Sequence, residues 1–400
     1  MEARSDTLIG RAVASRPATV AFAGVFVACL LAFLGLGTVL PVLPRYVKGP
    51  IGSTDVAVGL VTGAFAFTAV VCRPLGGRLA DARGRRLVVI TGALLSAVAG
   101  VLYFAPLGVP GLVLARLVLG AGEGLVFTAG AAWTVDLSPE ETRGRAIGLF
   151  GLTIWGALTV GPLIGEGLRQ AAGYDAVWAF AAAAPLAGAA VARALPDSPR
   201  TPVPETRGAL VAREAVRPGV SLSLAAFGQA AFAGFIVLHM ERRGIGHGAA
   251  VFTAFGAAVV GARVIAGRLP DVVGPRKTAV GAAFCEACGL AIIGFAHGLP
   301  VALAGAVVMG FGFSVLFPSL ALMVVNAAGD ARRGAALGTF TAFFDIGMGL
   351  GGLVAGTIAA LAGYPEVFWF AAGCAALGGM LAAAGSPRAR GIRADIGFPP

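Results

Sequence analysis

Long apolar segments alternate with short polar ones along the whole chain. Each apolar segment holds about 20 residues, which as a helix can cross a hydrocarbon core about 30 Å thick. Lipid offers the backbone no hydrogen-bond partner, so a segment that crosses it must be helical. The pattern predicts an all-α integral membrane protein with twelve transmembrane spans, at 20–43, 55–79, 87–106, 110–133, 144–168, 175–195, 217–240, 247–267, 277–297, 299–325, 334–361 and 365–385.

One of the polar segments occurs twice. The pattern G-x-L-x-D-x-x-G-x-R follows the second span and recurs 190 residues later, after the eighth span. The same offset aligns Arg73 with Arg263 and Trp155 with Asp345. A repeat of this length predicts two pseudo-symmetric six-helix halves, 1–195 and 217–400, joined by a flexible linker at 196–216. The repeated positions are Gly77, Leu79, Asp81, Gly84 and Arg86, and Gly267, Leu269, Asp271, Gly274 and Arg276.

The formal charge of +10 is unevenly distributed between the two sides of the predicted membrane. Of the 30 Lys and Arg residues, 24 fall on one side, counting Arg73 and Arg263 as helix-end charges, and five fall on the other. The positive-inside rule places the first side, with both termini and the linker, in the cytoplasm. The basic charge therefore indicates orientation, and no nucleic-acid partner is expected. The 28 Arg against two Lys, with abundant Ala and Gly, are typical of a GC-rich bacterial genome, so the expected location is the inner (plasma) membrane of a bacterium.

Composition and motifs argue against a soluble protein and against an enzyme. The chain is 58% hydrophobic and 12% charged, whereas ordinary globular chains are roughly 25% charged. The phosphate-loop pattern G-x-x-x-x-G-K-S/T does not occur, so ATP is not the expected energy source. Cys285 and Cys288 have metal-like spacing but lack the further ligands that a site needs. We expect no catalytic activity, no cofactor and no metal.

The repeated motif resembles the signature of the major facilitator superfamily, and the resemblance extends over nearly the whole chain. It implies a twelve-helix fold whose halves rock about a midplane site. It also implies a gate, in which Asp81 faces a helix N-terminus of the other half when the cytoplasmic side is closed. The alternative is that the charged residues of the motif are exposed to solvent and only set the orientation of the protein in the membrane. The gate residues would be Gly77, Asp81, Gly84, Arg85 and Arg86, and Gly267, Asp271, Gly274 and Arg276.

The span at 144–168 resembles the antiporter motif of drug–proton exporters. The matching positions are Gly156, Gly161, Pro162 and Gly165, and the chain departs from the motif at Glu166, where the family has Gly. A Pro close to several Gly residues bends a helix, and the Gly face can pack closely against a neighbour. The resemblance implies a barrier to proton leak, and a generic kinked helix is the alternative.

Ionisable residues inside the spans are the candidates for proton coupling. Arg116 resembles an Arg linked to proton exchange in the family; it either has a partner in the membrane or extends to the interface. Asp345 and Glu123 lie near the bilayer centre on spans expected to face the cavity, where an isolated carboxylate can load and release a proton. The alternative is a buried hydrogen bond to Ser, Thr or backbone. Glu166 and Glu286 are expected to be structural.

Candidate cavity residues were selected as aromatic or polar groups on the lining spans: Thr38, Trp155, Gln229, Phe313 and Phe344. The favoured interpretation is a monomeric, proton-coupled secondary transporter that exports a small amphiphilic organic compound. An uptake symporter for a sugar or metabolite is the alternative with the same fold. A non-transporting sensor is less favoured, since it would not need two gate motifs and midplane carboxylates.

Overall fold

The computed structural model describes residues 5–139, 142–198, 212–328 and 332–384. Most of the predicted linker, 199–211, lies outside the described residues. The described helices are α1 (Ser5–Val39), α2 (Leu43–Lys48), α3 (Asp55–Arg83), α4 (Arg85–Leu102), α5 (Gly108–Asp136), α6 (Arg143–Arg193), α7 (Arg213–Arg242), α8 (Gly248–Ala266), α9 (Leu269–Val273), α10 (Pro275–Gly294), α11 (Leu299–Ala328), α12 (Arg333–Leu361) and α13 (Tyr364–Ala383).

Eleven helical segments among the described residues are long and apolar enough to cross a membrane. The longest, α6, has 51 residues but breaks at Gly173, where the backbone adopts φ 79° and ψ −170°. At 1.5 Å per residue each part of α6 is about 30 Å long or more, so α6 supplies both the fifth and the sixth crossing. The prediction of an all-α fold with twelve crossings is confirmed, although several helices extend beyond the predicted spans.

The duplication is visible in the turns between helices. Gly84 and Gly274, aligned in the repeat, have φ of 104° and 95°, and the aligned pair Gly173 and Gly363 has φ of 79° and 122°. Side chains other than Gly rarely adopt such angles, so each pair needs Gly for the same turn. These turns lie at opposite ends of the helices. We call the two ends of the molecule the Gly84 side and the Gly173 side.

Helix packing within each half is repeated as well. A Cβ placed on Gly120 of α5 would lie 1.9 Å from the carbonyl oxygen of Phe65 on α3. At the aligned position in the second half, a Cβ on Gly310 of α11 would lie 2.6 Å from the carbonyl oxygen of Phe255 on α8. Glycine is needed at both positions because the helix backbones touch there.

The halves meet along two interfaces, α3 against α12 and α8 against the first part of α6. A Cβ on Gly59 would lie 2.1 Å from the carbonyl oxygen of Gly352. In the second interface the Thr253 hydroxyl donates to the Thr159 carbonyl at 2.9 Å. Both contacts lie toward the Gly173 side, where the halves are tightly packed.

Packing between the halves is looser on the Gly84 side. The nearest neighbour of a Cβ on Gly77 is Thr128 of the same half, at 3.7 Å, and a Cβ on Gly148 or Gly338 meets nothing within 4 Å. Under the orientation predicted from the charges, the structure is thus closed more tightly toward the outside than toward the cytoplasm.

Candidate functional site

A largely buried ion pair joins the halves between α3 and α12, nearer the Gly84 side than the glycine contacts at Gly59 and Gly63. Arg73 of α3 donates from Nε to Oδ2 of Asp345 at 2.9 Å and from Nη2 to Oδ1 at 3.3 Å. The Asp345 side chain is 1% exposed and that of Arg73 17%. The guanidinium also lies over the Phe127 ring, 4.9 Å from its centroid. Two parallel hydrogen bonds between opposite charges make this the strongest type of polar contact between side chains.

This ion pair corrects two expectations from the sequence. Arg73 was counted as a cytoplasmic helix-end charge, but α3 continues to Arg83, so Arg73 lies well within the helix. Asp345 was treated as an isolated carboxylate, whereas its charge is balanced by Arg73. The pair does not test whether Asp345 carries a proton, and that role remains a proposal.

Glu123 of α5 lies close to this pair. Its side chain is buried, and among the described residues Oε2 has no hydrogen-bond partner. A Cβ on the neighbouring Gly124 would lie 3.4 Å from the Arg73 backbone nitrogen, so α5 packs against α3 next to Glu123. Phe33 of α1 and Ser96 of α4 line a small gap beside it, so Glu123 faces the interior of the first half. The structure thus places Glu123 beside the helix that carries Arg73, the partner of Asp345.

Arg116 of α5 is fully buried and does not extend to the membrane interface. Its Nε donates to the Val61 carbonyl at 3.1 Å and its Nη2 to the Thr62 carbonyl at 3.0 Å. The guanidinium lies 4.8 Å from the centroid of the Phe65 ring. Of the two alternatives in the sequence analysis, extension to the interface is wrong, because backbone carbonyls of α3 hold the cation inside the first half.

The second interface carries the aligned arginine in a different setting. Arg263 of α8 lies over the ring of Trp155, with its Cζ 5.9 Å from the ring centroid. Trp155 occupies the position that aligns with Asp345. The Arg263 Nε is buried and has no hydrogen-bond partner among the described residues. The repeat therefore preserves the two cations, Arg73 and Arg263, but gives a carboxylate only to the first.

Three of the predicted cavity residues form one aromatic group with Phe255. Ring centroids are 5.4 Å apart for Trp155 and Phe313, 6.2 Å for Trp155 and Phe255, and 6.2 Å for Phe313 and Phe344. The group includes residues from both halves. Phe255 was not predicted, although its alignment with Phe65, the ring beside Arg116, was a usable signal.

The other two predicted cavity residues, Thr38 and Gln229, lie on α1 and α7 and are both buried. Thr38 of α1 is fully buried, and its hydroxyl donates to the Leu34 carbonyl at 2.7 Å. A Cβ on Gly165 would lie 2.0 Å from the Thr38 carbonyl oxygen, so Thr38 packs α1 against α6. Gln229 of α7 is 8% exposed, with no partner for Nε2 among the described residues.

The Gly face of the antiporter-like motif packs against α1, as expected from its composition. A Cβ on Gly161 would lie 2.6 Å from the carbonyl carbon of Gly37, whereas Gly156 is looser, 3.7 Å from Leu30. Pro162 lies inside the helix between these contacts. The motif thus holds α6 to α1 within the first half, and its role against proton leak remains untested.

Glu166, where the chain departs from that motif, takes part in an ion-pair chain on the Gly173 side. Arg45 donates to Glu166 and also to Glu241 of α7, in the other half. Arg169 donates to Glu166 at 2.8 Å. A structural role was expected for Glu166, and these contacts are of that kind.

The first copy of the gate motif bonds within its own half. Asp81 accepts from Arg85, and Arg85 also donates to Asp136 at 3.1 Å. Arg86 donates to the Leu195 carbonyl at 3.0 Å. In the second copy the position aligned with Arg85 is Pro275, so Asp271 cannot form the same ion pair.

Among the described residues, no group of three or more His, Cys, Asp or Glu side chains is placed to bind a metal ion. Glu286, beside Cys285 and Cys288, is fully buried in the second half, and neither of its carboxylate oxygens has a described partner. It occupies the position that aligns with Ser96.

Comparison with known proteins identifies the family. A family model described as Major Facilitator Superfamily matches residues 25–269 and 219–394. The chain belongs to the major facilitator superfamily. An uncharacterized MFS-type transporter of Salmonella typhimurium is 32% identical over 359 residues, covering 88% of this chain and 92% of the relative. Another, of Burkholderia mallei, is 32% identical over 361 residues, covering 87% and 88%.

Solved structures of the superfamily share the fold. The nucleoside transporter NupG has a TM-score of 0.78 at 15% identity, covering 91% of this chain and 99% of NupG. The human organic anion transporter MFSD10 has a TM-score of 0.69 at 19% identity, covering 92% and 99%. Together with this shared fold, the family model and the relatives indicate a multi-pass membrane transporter rather than an enzyme.

Proposed function

We propose that this superfamily member is a proton-coupled secondary transporter that exports a small amphiphilic organic compound by alternating access. The observation that carries the proposal is the buried Arg73–Asp345 pair, because it connects the two moving halves through a group that can be protonated. A proton on Asp345 would remove one charge of the pair and weaken the contact between α3 and α12. Proton binding would in this way favour one arrangement of the halves.

Glu123 is the second proton carrier in this proposal. It is buried beside Arg73 without a hydrogen-bond partner for Oε2 among the described residues, so a change at Asp345 alters the charge that it experiences. Arg116 fixes α5 to α3 next to both groups. Both halves and the site belong to one chain, so the mechanism requires only a monomer.

Export is supported by the Gly-Pro motif of α6 and its close packing against α1. An uptake symporter for a sugar or metabolite is the second candidate, because Glu166 departs from that motif. In this proposal the gate motif stabilises the state in which the cytoplasmic side is closed. Both termini lie in the cytoplasm of a bacterial cell. These directions are distinguished by everted vesicles, in which an exporter accumulates its substrate when the lumen is acidified.

The coupling is tested with Asp345→Asn and Glu123→Gln in such vesicles, using a panel of fluorescent amphiphilic compounds. Asn resembles a permanently protonated Asp, so Asp345→Asn should abolish gradient-driven transport while exchange between labelled and unlabelled compound continues. Glu286→Gln is the matched control, since it neutralises a buried carboxylate away from the interface between the halves. Full gradient-driven transport in the Asp345→Asn, Glu123→Gln double variant would contradict the proposal.

A further inference from the structure

We propose that Arg263 binds the carboxylate of the transported compound and that the neighbouring aromatic group holds its apolar part. The proposal rests on the transport function proposed above and adds the substrate class, an aromatic organic anion. It assigns the second interface a ligand site that the first interface does not have.

Arg263 is a partly buried cation that forms no ion pair with a described carboxylate. Its Nε is shielded from solvent and has no hydrogen-bond partner among the described residues. Among the described residues, no carboxylate forms a salt bridge with its guanidinium, whose Cζ lies over the Trp155 ring instead. An unpaired charge in a membrane interior is costly, and such residues commonly serve substrate or ion pathways. A ligand that supplies the missing anion would offset this cost.

The other interface between the halves contains an example of the proposed contact between an arginine and a carboxylate. Arg73, aligned with Arg263, holds the Asp345 carboxylate through two parallel hydrogen bonds. At Arg263 the aligned partner is Trp155, which leaves the guanidinium donors without a carboxylate. A Cβ on Gly151 would lie 2.7 Å from Nη1 of Arg263, so glycine there lets the guanidinium pack directly against α6, next to Trp155.

The surroundings of Arg263 define the rest of the ligand. Trp155 contacts Phe313 and Phe255, and these two rings lie 6.3 Å apart between centroids. Aromatic side chains favour planar apolar ligands through stacking and edge contacts. A guanidinium beside such rings therefore fits an aromatic carboxylate better than a sugar or an aliphatic cation.

The test is calorimetric binding to the purified chain in lipid nanodiscs, without a proton gradient. The probes are benzoate, 1-naphthoate and anthracene-9-carboxylate, each compared with its neutral amide. We expect at least one carboxylate to bind more tightly than its amide. Arg263→Gln should weaken binding of that carboxylate by about tenfold or more and leave the amide unchanged. Arg263→Lys should weaken it less. Arg268→Gln is the control, because it removes the same charge from an exposed position nearby.

A second variant keeps the arginine and supplies an internal competitor. Trp155→Asp places a carboxylate at the position aligned with Asp345, so it should pair with Arg263 and abolish the preference for carboxylate over amide. Trp155→Phe, which keeps an aromatic ring there, should retain the preference. This pair of variants decides the question if Arg263→Gln does not fold.

The proposal is overturned if no carboxylate binds better than its amide in the unmodified chain. It is also overturned if Arg263→Gln leaves the preference intact or weakens both ligands equally, or if Trp155→Asp retains the preference. Because binding is measured without a gradient, a failure of proton coupling leaves this result unaffected.

Discussion

The two interfaces between the halves are related by the repeat, yet they are held together differently. The α3–α12 interface combines backbone contact at Gly59 with the buried Arg73–Asp345 pair. The α8–α6 interface has the hydrogen bond from Thr253 and an arginine that lies against an aromatic ring. The difference shows that the duplicated halves share the positions of the two arginines but not the residues that contact them. In the α3–α12 interface the charge of Arg73 is balanced by Asp345. In the α8–α6 interface Arg263 has an aromatic ring in place of a carboxylate.

The largest expected effect is a difference in the free energy of unfolding between variants of Arg73 and variants of Arg263. Arg73→Gln leaves the Asp345 carboxylate buried and unpaired, so it should lower the free energy of unfolding by about 3–5 kcal/mol. Arg263→Gln removes a charge that has no internal partner, so it should change that free energy by less than about 0.5 kcal/mol or raise it. Steric-trapping measurements in bicelles compare the two variants directly.

The double variant Arg73→Gln, Asp345→Asn serves as the control for this prediction, because it removes both charges. It should recover most of the stability lost in Arg73→Gln. Equal losses in Arg73→Gln and Arg263→Gln would show that the two arginines are not distinguished by their partners.

An intermediate effect is expected from glycine substitutions that sharpen the same comparison. Gly59→Ala places a Cβ 2.1 Å from the Gly352 carbonyl oxygen, where backbone would have to move. It should cost about 1–3 kcal/mol and widen the Gly173 side. Gly256→Ala in the other interface also meets backbone, but the Thr159 Cα lies 2.9 Å away, a smaller overlap, so its cost should be smaller. Spin-label distances across the Gly173 side measure the widening, and the same distances in both variants would contradict the ranking.

The smallest effect is expected at the hydrogen bond of the second interface. Thr253→Val keeps the shape of the side chain but removes the donor to the Thr159 carbonyl. The loss should be about 0.5–1.5 kcal/mol in the free energy of unfolding. Thr357→Val, whose hydroxyl donates to a carbonyl of its own helix at an exposed position, is the control. A loss as large as that of Arg73→Gln would mean that the second interface depends on this bond.

The fold was predictable because membrane helices need long apolar segments and because the repeat is explicit in the sequence. The role of Arg73 was missed because the residue lies close to the predicted end of its span, at 79, and was counted as a helix-end charge. Its partner lies 272 residues away. Such a pairing depends on how α3 and α12 approach each other, which neither segment determines alone. Thr38 was selected as a polar group on a lining span. Because α1 is apolar on all faces, its sequence has no periodicity to indicate which side of the helix faces inward.

Because of the backbone contact at Gly59 and Gly352, closure of the transporter and recognition of the ligand depend on different residues. Closure on the Gly173 side depends there on the absence of side chains, whereas ligand selection would depend on side chains such as Trp155 and Arg263. Mutations that change what is recognised can therefore accumulate without damaging the surface that closes. Relatives with this glycine contact could diverge widely in substrate while keeping one mechanism of closure.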